Sequence, residues 1–157
     1  MNATQIELYN KKLDHKVKYN QVQFSIVHSH MISEGLFVDM SESEACSRSG
    51  NMIEYAMLKD IKLQAWSPLM ASWEDGCFID HPKYEALNNK INELAIKYGV
   101  SKSAIAVSWI LRHPAKILPI VGTTSIKHLS EIIEANNITL SREEWYALYL
   151  SNNHFLP

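Results

Sequence analysis

Ile117-Leu118-Pro119-Ile120-Val121-Gly122-Thr123-Thr124-Ser125 is the stretch on which the fold turns. Residues 117–121 form a short apolar run with the length and composition of a buried strand. The run empties into Gly-Thr-Thr-Ser, after which Ile126, Leu129, Ile132 and Ile133 resume at helical spacing. A strand that passes through a turn of small residues directly into an amphipathic helix is one βα unit of an α/β protein.

The same alternation extends outward. Upstream, Ser101 or Ser103 is placed to cap a helix whose face carries Ile105, Trp109 and Leu111 or Arg112, with Pro114 just past its end. Before it, Leu87, Ile91, Leu94, Ala95 and Tyr98 trace an amphipathic stripe closed by Gly99. A second strand is expected near 61–66, running into Trp66-Ser67-Pro68-Leu69, and a helix before it carries Met52, Ile53, Ala56 and Met57. Another strand is expected over 18–26, where Val22, Phe24 and Ile26 alternate with Gln21, Gln23 and Ser25. Asn2-Ala3-Thr4-Gln5 reads as a cap for a short helix with Ile6, Tyr9 and Leu13 on one face. Downstream, Ser141-Arg142-Glu143-Glu144 is a capping-box pattern that opens a last helix bearing Trp145, Leu148 and Tyr149. Two stretches, Ser29 to Gly50 and Met70 to Pro82, carry no clear period. Three strands separated by helices imply parallel pairing with right-handed crossovers.

The chain has 157 residues, 46% hydrophobic and 20% charged, enough apolar content for a core and short enough for one domain, 1–157. No run of about 18 apolar residues occurs, so no membrane-spanning helix is expected. The opening Met1-Asn2-Ala3-Thr4-Gln5 lacks the basic and apolar regions of a signal peptide, and a cytoplasmic location is expected. Two cysteines, Cys46 and Cys77, make a poor disulfide framework. A net charge of -2 provides no overall field to gather nucleic acid.

In parallel α/β sheets, ligands sit beyond the carboxyl ends of the strands. Gly122-Thr123-Thr124-Ser125 there offers backbone N–H groups, three hydroxyls and a helix N-terminus, an arrangement suited to phosphate. A plain helix cap with ordinary turn residues is the alternative. Trp66 ends its strand on the same side as Lys62 and Gln64, where its ring can stack on a flat heterocycle or be covered as a core residue. Gln21 and Gln23, on an inward face, need partners: a ligand amide or a side chain of the neighbouring strand. His28 and His30 could ligate zinc, but no Cys or carboxylate at ligand spacing completes a site, so no metal is expected. No CxxC, GxGxxG or Walker pattern is present, and no acid, histidine and nucleophile share a triad context.

Taken in order, Asn20-Gln21-Val22-Gln23, Gln64-Ala65-Trp66-Ser67-Pro68-Leu69, Ala106-Val107-Ser108-Trp109-Ile110-Leu111-Arg112-His113-Pro114 and Ile120 to Ser125 resemble the aldo-keto reductase family. Leu140 to Tyr146 is similar to its bacterial YdhF-like oxidoreductase branch. The resemblance implies an α/β (β/α)8 TIM barrel that binds NADP(H) across the carboxyl ends of its strands. Gln21 matches the glutamine on the nicotinamide carboxamide, and Trp66 the aromatic residue stacked on the nicotinamide ring. Ser67, Pro68 and Leu69 match the segment along the pyrophosphate. Gly122, Thr123, Thr124 and Ser125 match the segment that holds the adenosine 2′-phosphate. His128 falls where many members carry an arginine, Glu131 where an acid binds the adenine amino group, and Ile132 replaces an asparagine.

A (β/α)8 barrel needs about 250 residues. The first strand here is like the family's sixth, so the resemblance covers only the C-terminal half: a partial barrel of about the last three βα units plus C-terminal helices. The family's Asp, Tyr, Lys and His tetrad lies on its first four strands, and none of Tyr9, Tyr19, Tyr55, Tyr84, Tyr98, Tyr146 or Tyr149 matches its tyrosine. No catalytic residue is assigned. The expectation is the cofactor-binding portion of an NADP(H)-dependent carbonyl reductase, inactive alone, taking a small carbonyl substrate only when completed by an N-terminal half. The alternative is a non-catalytic fragment that binds nucleotide weakly or self-associates through open sheet edges.

Overall fold

The computed structural model describes residues 1–157. Three parallel strands, β1 (Tyr19–Gln23), β2 (Lys62–Trp66) and β5 (Leu118–Ile120), form a sheet in the order β1-β2-β5. The helices are α1 (Ala3–Asn10), α2 (His30–Leu36), α3 (Met52–Leu58), α4 (Glu85–Tyr98), α5 (Lys102–Leu111), α6 (Ile126–Ile133) and α7 (Arg142–Leu150). Gln21 stands opposite Gln64, Gln23 opposite Trp66, and Trp66 opposite Ile120. This is a fragment of an α/β barrel, with parallel strands and helices layered on one side. No single helix is long and apolar enough to cross a membrane.

Local chemistry explains the helix ends. Asn2 and Gln5 form a reciprocal capping box on α1, and Ser141 and Glu144 form another on α7. Ser101 Oγ accepts from the Ala104 N–H at 3.0 Å to start α5. Gly99, at φ 66°, ends α4 in the left-handed conformation that only glycine adopts without cost.

The side chains of β2 alternate. Leu63 and Ala65 are fully buried under the helices, in one cluster with Ile91, Ile105 and Trp109. Trp109 and Trp145 stack at 4.8 Å and bond reciprocally: each indole N–H donates to the other's carbonyl, at 3.1 and 2.9 Å. The opposite face is open, with Gln21 and Lys62 exposed, Tyr19 62% exposed and Leu118 49% exposed.

Several expectations change. The strand expected over 18–26 stops at Gln23, and Phe24, Ser25 and Ile26 are fully buried in the turn beyond it. Ser25 leaves the ladder because its Oγ donates to the Met70 carbonyl at 3.0 Å and its N–H to the His28 carbonyl at 3.2 Å. Tyr9 is exposed and Leu13 lies beyond α1, so only Ile6 of that stripe reaches the core. Ser29 to Gly50 contains α2 and a 3-10 turn at Ser43–Ala45. It is gathered by the buried Glu34 carboxylate, which accepts from the Arg48 and Ser49 N–H groups and from Ser49 Oγ at 2.6 Å. Met70 to Pro82 holds a small antiparallel hairpin, β3 (Met70–Ser72) and β4 (Gly76–Cys77).

Candidate functional site

A cleft of about 790 Å³ lies beyond the carboxyl ends of β2 and β5. Trp66 closes β2, and the chain then turns sharply: Ser67 takes φ 53°, a left-handed conformation that costs a serine about 1–2 kcal/mol. Its carbonyl accepts the Met70 N–H at 3.0 Å, and the Leu69 carbonyl accepts the Phe78 N–H at 3.1 Å. Those bonds pin Ser67, Pro68 and Leu69 along one wall. Strain held by its surroundings is a feature of ligand-binding turns.

Gly122 and Thr123 form the facing wall. Thr123 Oγ1 accepts the Ser125 N–H at 3.2 Å, and Ser125 Oγ accepts the His128 N–H at 3.3 Å to cap α6. The helix cap offered as the alternative for this stretch is thus present, at Ser125. The Gly122, Thr123 and Thr124 amides donate to no other protein group. Three free amides beside the positive end of a helix dipole remain available to an anion. His128 and Glu131, both on α6, complete that end of the cleft. Ser101 Oγ donates to the Glu131 carbonyl at 3.0 Å and ties α6 to the start of α5.

Of the eleven residues singled out in the sequence, Trp66, Ser67, Pro68, Leu69, Gly122, Thr123, His128 and Glu131 line this one cleft. Thr124 and Ser125 continue from its lining without facing it. Gln21 lies outside it, exposed on the open sheet face, where its Nε2 donates to Gln64 Oε1 at 3.1 Å. The inward face proposed for Gln21 is not buried, and its partner is the neighbouring strand's side chain. His28 and His30 meet edge to face at 4.6 Å, and burial, aided by His30, holds His28 down at about 4.

The hairpin supplies residues that periodicity missed: Met70, Gly76, Cys77 and, just past it, Ile79 line the cleft. Its tip carries Trp73, 85% exposed, with its ring 6.5 Å from that of Trp66. Asp75-Gly76 was the available signal, since that dipeptide marks tight hairpins; Gly76 takes φ 71°.

No tyrosine lines the cleft. Tyr55, Tyr84 and Tyr98 donate to Glu7, Asp75 and Glu144 at 2.8, 2.8 and 2.7 Å. Burial and the bond to Glu7 push Tyr55 up to about 12.

Parallel strands backed by helices, with a cleft at the strands' carboxyl ends walled by a strained turn and a helix N-terminus, are the architecture of an α/β-barrel fragment. The Aldo/keto reductase family model matches residues 1–149, and the chain belongs to that family. It is 28% identical over 128 residues to 6-dehydroglucose reductase of Agrobacterium fabrum, covering 80% of this chain and 41% of that protein. It is 21% identical to Oxidoreductase YdhF of Escherichia coli, covering 92% of this chain and 42% of that protein. Among solved structures, the thermostable aldo-keto reductase Tm1743 superposes with a TM-score of 0.66 at 21% identity, over 96% of this chain and 46% of its own. A point mutant of Gox0644 in complex with NADPH superposes with a TM-score of 0.65 at 14% identity, over 96% of this chain and 44% of its own. The chain thus spans less than half the length of these relatives.

Proposed function

We propose that the cleft binds NADP(H) and that this chain is the cofactor-holding part of an oxidoreductase that reduces a carbonyl to an alcohol. The carrying observation is the coincidence of two free amides, Gly122 and Thr123, with the half-buried indole of Trp66 in the lining of one cleft. A dinucleotide needs both an anion site and a flat apolar surface, and the residues present fit it. When bound, NADPH supplies the hydride.

The chain's own residues bind and orient. Trp66 stacks against the nicotinamide ring. Ser67, Pro68 and Leu69, fixed by the strained turn, follow the pyrophosphate. Gly122, Thr123, Thr124 and the Ser125 cap hold the 2′-phosphate through backbone N–H groups and hydroxyls. His128 and Glu131 contact the adenine. Gln21, on the same sheet face below Trp66, exchanges its bond to Gln64 for one to the carboxamide. No tyrosine lines this cleft to give the alcohol its proton. The chain alone is therefore expected to bind cofactor without turning over a carbonyl.

Calorimetric titration with NADPH and NADH tests the assignment. NADPH is expected to bind more tightly, and Thr123→Ala with Ser125→Ala is expected to remove most of that preference. Equal, negligible binding of both nucleotides would reject the phosphate site. Carbonyl reduction by the isolated chain, abolished by Trp66→Ala, would reject its inactivity.

A second reading, self-association, has its own observation. β1 and β5 are each paired on one side only, and Leu8 and Tyr9 of α1 and Ile126, Leu129 and Ile133 of α6 are all at least 43% exposed. An unpaired parallel edge beside an uncovered apolar helix invites another βα layer. Sedimentation showing a monomer across the micromolar range would reject it.

A further inference from the structure

We propose that a groove on the helical side of the molecule, between α2, α3 and α7, is a second binding site, one that takes a small amphipathic carboxylate. It shares no residue with the cofactor cleft and stands independently of that reading. Its volume is about 400 Å³, inside the range of small-molecule sites, ~300–1,000 Å³.

The groove joins an apolar floor to a rim with an excess of positive charge. Ile32 and Leu36 of α2 and Ile53 and Met57 of α3 supply the floor. Trp145 forms a rigid wall, because its ring is stacked on Trp109 and its N–H donates to the Trp109 carbonyl. Arg112 and Arg142 stand on the rim. Arg112 Nε donates to the Leu140 carbonyl at 2.8 Å, which fixes the guanidinium and leaves its other donors free. Neither arginine has a carboxylate within 4.0 Å; all seven ion pairs in the molecule use lysine. His113 adds a neutral donor: its Nδ1 accepts the Ala115 N–H at 3.1 Å, which assigns the proton to Nε2.

One acid, Glu54, joins the lining, seated so close over Gly35 that a Cβ there would come within 2.5 Å of its Oε1. Two guanidiniums against one carboxylate leave one positive charge, matched by a monoanion. An unpaired planar guanidinium beside an apolar surface recognises a carboxylate whose tail is apolar. A phosphate would find charge but waste the floor, and an uncharged hydrocarbon would fill the floor but leave the rim unpaired.

Decanoate is the probe, titrated into the whole chain by calorimetry and by Trp fluorescence, with decanol as the uncharged control. One-to-one binding is expected, at least about tenfold tighter for decanoate than for decanol and weakening with salt. Arg142→Gln is expected to weaken decanoate about fivefold, Arg142→Lys to restore part of the loss, and Glu54→Gln to tighten binding about twofold. The Arg142 side chain is exposed and makes no hydrogen bond, so its variants are expected to retain the fold, which circular dichroism checks. Absence of saturable binding, equal affinity for decanol, or indifference to Arg142→Gln would overturn the proposal. So would displacement of decanoate by NADPH, which would move the ligand to the other cleft; failure of NADPH to bind at all leaves this proposal standing.

Discussion

The two faces of the sheet make a controlled comparison within one molecule. They share strands, twist and register, yet Leu63 and Ala65 are fully buried on one side while Tyr19 and Leu118 are 62% and 49% exposed on the other. The helical side holds the aliphatic and aromatic core, and apolar burial there stabilises the fold. The open side carries Gln21, Gln23, Lys62, Gln64 and Trp66, side chains with hydrogen-bonding tips that suit a ligand or another layer better than a dry core. Core packing and the proposed cofactor contacts thereby fall on opposite faces of the sheet, and substitutions should separate them.

Trp109→Ala should produce the largest effect. Trp109 is fully buried and stacks on both Phe24, at 5.5 Å, and Trp145. Its loss is expected to cost about 3–5 kcal/mol in urea unfolding, enough to leave little folded protein. Tyr19→Ala on the open face should stay within about 0.5 kcal/mol. Comparable losses at both positions would show that the open face is also packed.

The acid side of the stability curve sharpens the same contrast. Burial holds His28 at about 4, with His30 helping. Burial also lowers His30, His113 and His154. These histidines are more easily protonated when unfolded, so their contribution is complete above their ordinary pKa of 6.5 and declines as pH falls from there towards 4. Glu144 adds a lower window. Its burial opposes ionisation, but bonds from Lys97, the Ser141 N–H and Tyr98 bring it to about 2, so its contribution fades as pH falls from 4.5 to about 2. Urea midpoints should therefore drop between about pH 7 and 5, and less so in His28→Asn. A flat profile over that interval would refute the buried-histidine account.

These contrasts mark what the sequence made legible. Local signals were reliable: the caps at Asn2 and Ser141 and the stop at Gly99 depend on residues within four positions and appear as read, and of the two serines offered for α5 it is Ser101 that caps. Strand ends were not, because tertiary bonds decide them. Ser25 reads as a continuing strand residue and is drawn off by Met70, forty-five positions away. The cleft was legible through Trp66 to Leu69 and Gly122 to Thr123, since strand ends in α/β sheets lie together. Its hairpin wall was hidden in a stretch too short for a period to register, and only Asp75-Gly76 announced it. The arginine groove was invisible, because Arg112 and Arg142 come to line one groove only through tertiary packing, thirty positions apart in the chain.

Where the two faces meet, at the end of β2, Ser67→Gly should raise stability by about 1 kcal/mol. Its φ of 53° is unfavourable for serine and free for glycine, a gain reduced by the added flexibility of the unfolded chain. Denaturation of the purified variant measures it, and a loss of stability would mean that the Ser67 side chain contributes more than its backbone strain costs.

Gln21→Leu should have the smallest effect on folding and still be informative. The Gln21–Gln64 bond is exposed, so water replaces it at little cost, and the stability change should fall below about 0.5 kcal/mol. Its consequence for binding depends on an exchange. If the nicotinamide carboxamide takes the place of Gln64 at the Gln21 amide, one hydrogen bond substitutes for another, and removing Gln21 should weaken NADPH only about two- to threefold. Trp66→Ala, which removes a whole stacking surface, should weaken it far more. Titrating both variants ranks the two contacts. A Gln21 effect larger than that of Trp66 would show that the open face binds through its amides rather than through its indole, and would shift the centre of the site from the cleft onto the sheet.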